Sequence, residues 1–269
     1  MAFLVFRNAL RGHRIALLLG ALLLLGFNVL IPTTYEGLGQ GPLSSFLQDV
    51  PKGLQAFLKA EGSLILTSGP NGYTAIGYRH PIFLIVPIAF VVAIASGAVA
   101  REIERKSMLL LMARPLPRWS LLLGRWGEMV VVLLVLSVMA FLGTVLGETI
   151  GGIGPLVSDG RFAVVTLNAF LLFLAISNMS LLISSGVSDG GRATALAVAV
   201  AVIMFLVDFL AGIWSPFELL APLSLFHYYD PVGTAAVGGV PARDIIVLAV
   251  VALAALAAAF ALFQRRDLR

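Results

Sequence analysis

The chain has no cysteine, only three histidines and only three lysines in 269 residues. Without cysteine there is no disulfide framework, no thiolate metal site and no cysteine nucleophile. His13, His80 and His227 lie near the ends of different apolar stretches and none lies inside one. That excludes a clustered metal site, a histidine proton relay and an intramembrane serine–histidine pair. None of Lys52, Lys59 and Lys106 follows a glycine, so the phosphate-cradling loop G-x4-G-K-[S/T] is missing and ATP is not bound by that device. Charge is scarce as well, at 12% of residues against about 25% in an ordinary soluble domain. A soluble globular protein is thereby excluded.

What is present is apolar: 59% of residues are hydrophobic and the mean hydropathy is +1.01. A helix needs roughly 20 apolar residues to cross a hydrocarbon core of about 30 Å. Six stretches meet that length without an interrupting charge run: 15–31, 82–100, 126–147, 162–185, 193–214 and 245–263. The expected fold is an all-α membrane protein, one transmembrane domain over 1–269 with six transmembrane helices.

Charge placement orients it. Of 18 Lys and Arg residues, only Lys52, Lys59, Arg79, Arg161 and Arg243 fall on one face of a six-span chain. The other 13 share a face with both termini, which the positive-inside rule makes cytoplasmic. The expected location is the cytoplasmic (inner) membrane, with the lipid bilayer as solvent. A net charge of +4 then reports orientation, and nucleic acid is not an expected partner. No small-x-small cleavage pattern follows the first stretch, so it is read as an uncleaved anchor.

Segments between the spans carry their own patterns. Over 1–14, Phe3, Phe6 and Leu10 share one helical face and Arg7, Arg11 and Arg14 another, which predicts an interfacial helix. The 32–80 loop is extracytoplasmic; Phe46, Val50, Leu54 and Phe57 recur at helical spacing within it, and Gly69 to Gly72 predict a turn before the second span. The connection over 101–125 opens with dense mixed charge, Arg101 to Lys106, then turns at Pro115 and Pro117. Arg118 and Trp119 anchor its return at the interface. Such an elbow can seat in a groove of a soluble partner.

These residues resemble those of ABC-2 type permeases, the transmembrane subunits of ABC exporters. Ala-Arg-Glu-Ile-Glu-Arg, ending at Arg105, followed by Leu-Leu-Leu-Met-Ala-Arg-Pro-Leu-Pro-Arg-Trp, ending at Trp119, is similar to the family's E-x-E-R-G-T-L and L-L-x-x-P-[V/I]-x-R runs. Lys106 and Ser107 stand where many relatives have Gly-Thr. Phe263 to Leu268 resembles the ending F-x-R-R-D-[L/I], and Leu220 to Pro231 an outer-leaflet segment. The resemblance implies two six-span subunits, a second copy or a paralogue completing the pair, each resting on an ABC ATPase subunit. It also implies no cofactor in this chain, with ATP and Mg bound by the partner ATPase, and no enzyme activity of its own. Arg101, Glu102, Glu104, Arg105, Lys106, Arg114 and Pro115 would form the coupling helix, and Asp189 a smaller contact between spans four and five. The segment 216–239 would be re-entrant at the outer end.

Individual polar residues admit two readings each. Glu102 and Glu104 contact the ATPase or pair along their own helix. Glu128 is read as structural, reaching the interface or pairing with Arg125. Asp208 costs about 2.5 to 3.5 kcal/mol at a bilayer centre, so it lines a path or pairs with Arg243 or an outer-loop donor. Asn168 and Asn178 share a face of span four that can line a path, although interhelical hydrogen bonding is their commoner use. Gly143, Gly147 and Gly151 permit close approach, within the subunit or across a dimer. Phe226, Tyr228 and Tyr229 are gate or path candidates. An apolar path suits an amphipathic, lipid-like or drug-like substrate. Export of a lipid-linked polysaccharide, with Tyr228 and Tyr229 stacking on sugars, and a non-transporting scaffold for an extracytoplasmic partner stay as alternatives.

Overall fold

The structure, a computed structural model, describes residues 2–39, 69–104 and 118–266. Among these there is no strand. The helices are α1 (Ala2–Thr33), α2 (Gly69–Arg79), α3 (Pro81–Ala98), α4 (Ala100–Glu104) and α5 (Arg118–Ile150). They continue with α6 (Asp159–Gly186), α7 (Gly190–Ala211), α8 (Pro231–Val237) and α9 (Ala242–Arg265). Six helical stretches are long and apolar enough to cross a membrane: Leu10–Gly37, Gly69–Glu104, Trp119–Ile150, Asp159–Gly186, Gly190–Ala211 and Ala242–Arg265.

Helix starts are set by side chains that satisfy otherwise open backbone N–H groups. His80 Nδ1 accepts from Ile82 N at 3.2 Å, with Pro81 in the first turn of α3. Asp189 Oδ1 accepts from Arg192 N at 2.6 Å and Asp230 Oδ1 from Gly233 N at 2.9 Å. Gly238 closes α8 at a φ of 87°, the left-handed conformation that costs a residue without Cβ least.

Two segments differ from expectation. The helix expected over 1–14 is not a separate element: α1 runs unbroken from Ala2 to Thr33, because the only proline in it, Pro32, comes at its end. Its 32 residues span about 48 Å, well beyond a hydrocarbon core. The turn expected at Gly69 to Gly72 is the first turn of α2, since Gly and Pro are tolerated where N–H groups lack helical partners. Proline ends that helix instead: Pro81 forces the chain to bend after Arg79. The segment 216–239 consists of three 3-10 turns (Ser215–Phe217, Ala221–Leu223, Leu225–Tyr228) followed by α8. The amphipathic stretch from Phe46 to Phe57 lies outside the described residues.

α6 is the central helix, packed by α3, α5, α7 and α9. Tyr78 on α2 meets Phe83 on α3 and Phe162 on α6, and Phe83 meets Phe173 on α6, at ring separations of 4.8 to 5.7 Å. The largest helix contact joins α1 to α5 and runs along the glycine series. A methyl group built on Gly147 would stand 2.5 Å from Val29 O and one on Gly151 3.0 Å from Pro32 O; at Gly143 it would strike Leu25 O. The close approach is therefore within the subunit. Apolar side chains left outside, such as Leu19, Ile203 and Leu253, suit hydrocarbon rather than water.

Candidate functional site

One end of the bundle is ionic. Glu102 on α4 pairs with Arg125 at 3.1 Å, and Arg125 reaches Glu128 at 3.4 Å. Glu128, fully buried, also meets His13 Nδ1 at 2.7 Å. Three elements far apart in sequence, α1, α4 and α5, are thus joined by a chain of charged groups from His13 through Glu128 and Arg125 to Glu102, and the burial of Glu128 makes both of its partners necessary. Glu104 accepts from Gly190 N at 2.9 Å, which ties α4 to the first residue of α7. Arg266 donates to Ser185 O at 2.7 Å and Val187 O at 2.9 Å, fastening the end of α9 to the α6–α7 connection. Partial burial lowers the pKa of its guanidinium below the ordinary arginine value.

Of the residues predicted to couple, Arg101 is exposed on α4 and Asp189 is the cap of α7. Arg105, Lys106, Arg114 and Pro115 lie outside the described residues. Glu128 does pair with Arg125, but His13 went unseen in the sequence. Its partner is 115 positions away, and no periodicity links the two.

Between α3 and α7 the packing opens into a cavity of ≈ 480 Å³. Ile85, Ile88 and Val92 form one wall, Val198 and Val202 the other, with Phe205 and Phe226 closing one end and Ala93 and Thr194 the other. Phe226 is the one sequence-predicted path residue on this lining, in edge-to-face contact with Phe205 at 5.5 Å.

The far end is held by buried tyrosines and by a few charged groups. Tyr78 OH shares a hydrogen bond with Thr144 Oγ1 at 3.0 Å and accepts from Thr166 at 3.1 Å. Tyr229 OH donates to Tyr78 O at 2.8 Å and Tyr228 OH to Pro222 O at 2.9 Å. Burial raises the Tyr229 phenol well above its usual 10.0, so it stays neutral. Arg161 donates to Ala235 O and Ala236 O, both at 2.8 Å, fixing the end of α8. Asp208 lies 4.0 Å from His227 Nδ1, and His227 Nε2 is 3.1 Å from Arg243. Its direct contact is the histidine of the connection between α7 and α9, with Arg243 one step beyond.

Asn178 accepts from Trp126 Nε1 at 3.0 Å and donates to Ala252 O at 2.9 Å. Asn168 donates to Tyr228 O at 3.4 Å. Both are buried and bond neighbouring elements. Tyr78, Arg161 and His227 were not singled out from the sequence; their partners are long-range, and a tyrosine or arginine at a helix end carries no pattern of its own.

Comparison with known proteins adds to this geometry. The sequence model of the family described as "ABC-2 family transporter protein" matches residues 6–268. The uncharacterized protein YhcI of Bacillus subtilis (strain 168) is 27% identical over 226 residues, covering 74% of this chain and 70% of the relative.

Proposed function

Because this chain belongs to the ABC-2 family of transporter proteins, a multi-pass membrane family, we propose that it is the permease subunit of an ATP-driven exporter. ATP and Mg are bound by separate ABC ATPase subunits, two per complex, and a second copy or paralogue completes the pathway in the cytoplasmic membrane. Docking uses the cytoplasmic elbow that begins at α4.

One observation carries the coupling. α4 continues α3, one wall of the apolar cavity, and Glu104 on α4 is bonded to Gly190, where the other wall α7 begins. A displacement of α4 therefore acts on both walls at once. Arg125 and Glu128 relay it to α5 and α1 through Glu102 and His13. The lining accepts acyl chains or other apolar groups and offers sugars nothing to bond, so the substrate is amphipathic, lipid-like or drug-like. Tyr228 and Tyr229 are buried and committed to carbonyls, which leaves the polysaccharide alternative without stacking faces.

The test is co-purification with the partner ATPase and reconstitution into vesicles. ATP hydrolysis should rise with amphiphiles, and Glu104→Ala should uncouple that stimulation while preserving assembly. No associated ATPase, or full coupling in Glu102→Ala/Glu104→Ala, sinks the reading.

A further inference from the structure

The opening turns of α1 carry their arginines on one side. At about 100° per residue, Arg7, Arg11 and Arg14 fall within one arc of roughly 100° together with Ile15, Leu18 and Leu22. All three arginines are exposed. The three apolar residues are 66%, 63% and 58% exposed, so this is the side of α1 that hydrocarbon covers.

Contacts on another side pin the rotation of the helix. Phe6 packs beside Gly127 of α5, where an added methyl would stand 3.7 Å from its ring. His13 meets Glu128 on the same helix, and Ala21 and Leu24 are buried. From Phe6 to Leu24, therefore, one face of α1 is held by protein, and the arginine stripe is the foot of the face turned to lipid.

Depth follows from helix length. Ile15 to Thr33 covers about 28 Å, close to the ~30 Å of a hydrocarbon core. Arg14 to Arg7 then occupy the next ~12 Å, through a headgroup layer about 5–8 Å thick and into the water beyond it.

No acid in the described fold answers these charges. The sequence has no acidic residue before Glu36. At this end of the bundle Glu102 and Glu128 are taken by Arg125 and His13, Glu104 by Gly190 N and Asp189 by Arg192 N. Arg7, Arg11 and Arg14 have no ion-pair partner among the described residues.

We propose that this stripe binds the phosphates of anionic phospholipids in the leaflet beside the two chain ends, and that the bound lipids hold the foot of α1 against α5. A guanidinium presents a planar fork of N–H donors that matches a phosphate. An anionic surface adds about fivefold to binding for each basic residue close to it. The stripe continues a hydrocarbon-facing side, so a soluble protein reaching all of it would have to enter the bilayer. A second copy docked there about a two-fold axis would set arginines against arginines.

The test uses the full chain in nanodiscs of phosphatidylcholine, with and without phosphatidylglycerol. Phosphatidylglycerol should raise the native thermal midpoint, and high salt should erase the rise. Arg7→Gln/Arg11→Gln/Arg14→Gln should match the native midpoint in phosphatidylcholine and lose the rise, whereas the triple Arg→Lys variant, which keeps the charge, should retain most of it. Lipid retained through detergent purification should be enriched in phosphatidylglycerol, and the enrichment should fall severalfold in the Gln variant. An equal rise in the native chain and the Gln variant overturns the proposal. So does a rise reproduced by inorganic phosphate in phosphatidylcholine discs, which assigns the stripe to a free anion. A Gln variant that keeps both lipid readouts but no longer co-purifies with the partner ATPase overturns it too, and assigns the stripe to that protein.

Discussion

Two helix pairs of this bundle are opposites. α1 and α5 meet along glycines so closely that backbone touches backbone, whereas α3 and α7 part around ≈ 480 Å³ of apolar space. Both pairs are apolar, so hydropathy does not separate them; side-chain size does. Glycine at every fourth position removes the bulk that keeps helices about 8–10 Å apart. Valine and isoleucine on α3 and α7 hold their backbones apart without filling the gap. A permease needs both: a fixed half to move against, and a half with room inside.

Adding bulk is the direct way to break this comparison. Gly147→Leu should have the largest effect, preventing α1 from seating and leaving little folded protein in size-exclusion profiles, since overpacking costs about 1–3 kcal/mol where side chains can shift and here the obstacle is backbone. Similar bulk added in the gap should be tolerated: Ala201→Leu should keep thermal stability within about 1 kcal/mol while lowering amphiphile-stimulated ATP hydrolysis. If both variants fold alike, the contrast between seam and gap fails.

Next in size is Glu128→Ala, which leaves His13 and Arg125 without their shared carboxylate and should cost about 3 kcal/mol, read as a lowered unfolding midpoint. Asn178→Ala, which opens the Trp126 and Ala252 bonds of the central helix, should cost about 1–2 kcal/mol. Tyr229→Phe should cost least, about 1 kcal/mol, and carries a pH signature. Burial favours the neutral phenol, so its contribution is complete below the usual phenol value of 10.0 and declines as pH rises past the raised value in the folded protein. The variant should lack that alkaline loss in a midpoint-against-pH series.

The six spans were legible because length and charge are local properties that any window of sequence displays. Helix ends were less so. Arg7, Arg11 and Arg14 marked an interface by composition, but nothing there breaks a helix, and α1 passes through. The glycine series announced close approach without saying to what, since spacing of four describes a groove and not its occupant. Side-chain partners were least legible: Glu102 with Arg125, Glu104 with Gly190 and Asp208 with His227 join residues 19 to 86 positions apart. Only the fold brings them within reach.

The unbroken length of α1 has a mechanical consequence. Two rods fused along their sides bend far less than either alone, so α1 and α5 together act as a post that runs the full depth of the bundle. His13 grips the foot of that post through Glu128. A force applied at α4 would meet a stiff support on one side and a yielding gap on the other, and would be spent where the structure gives.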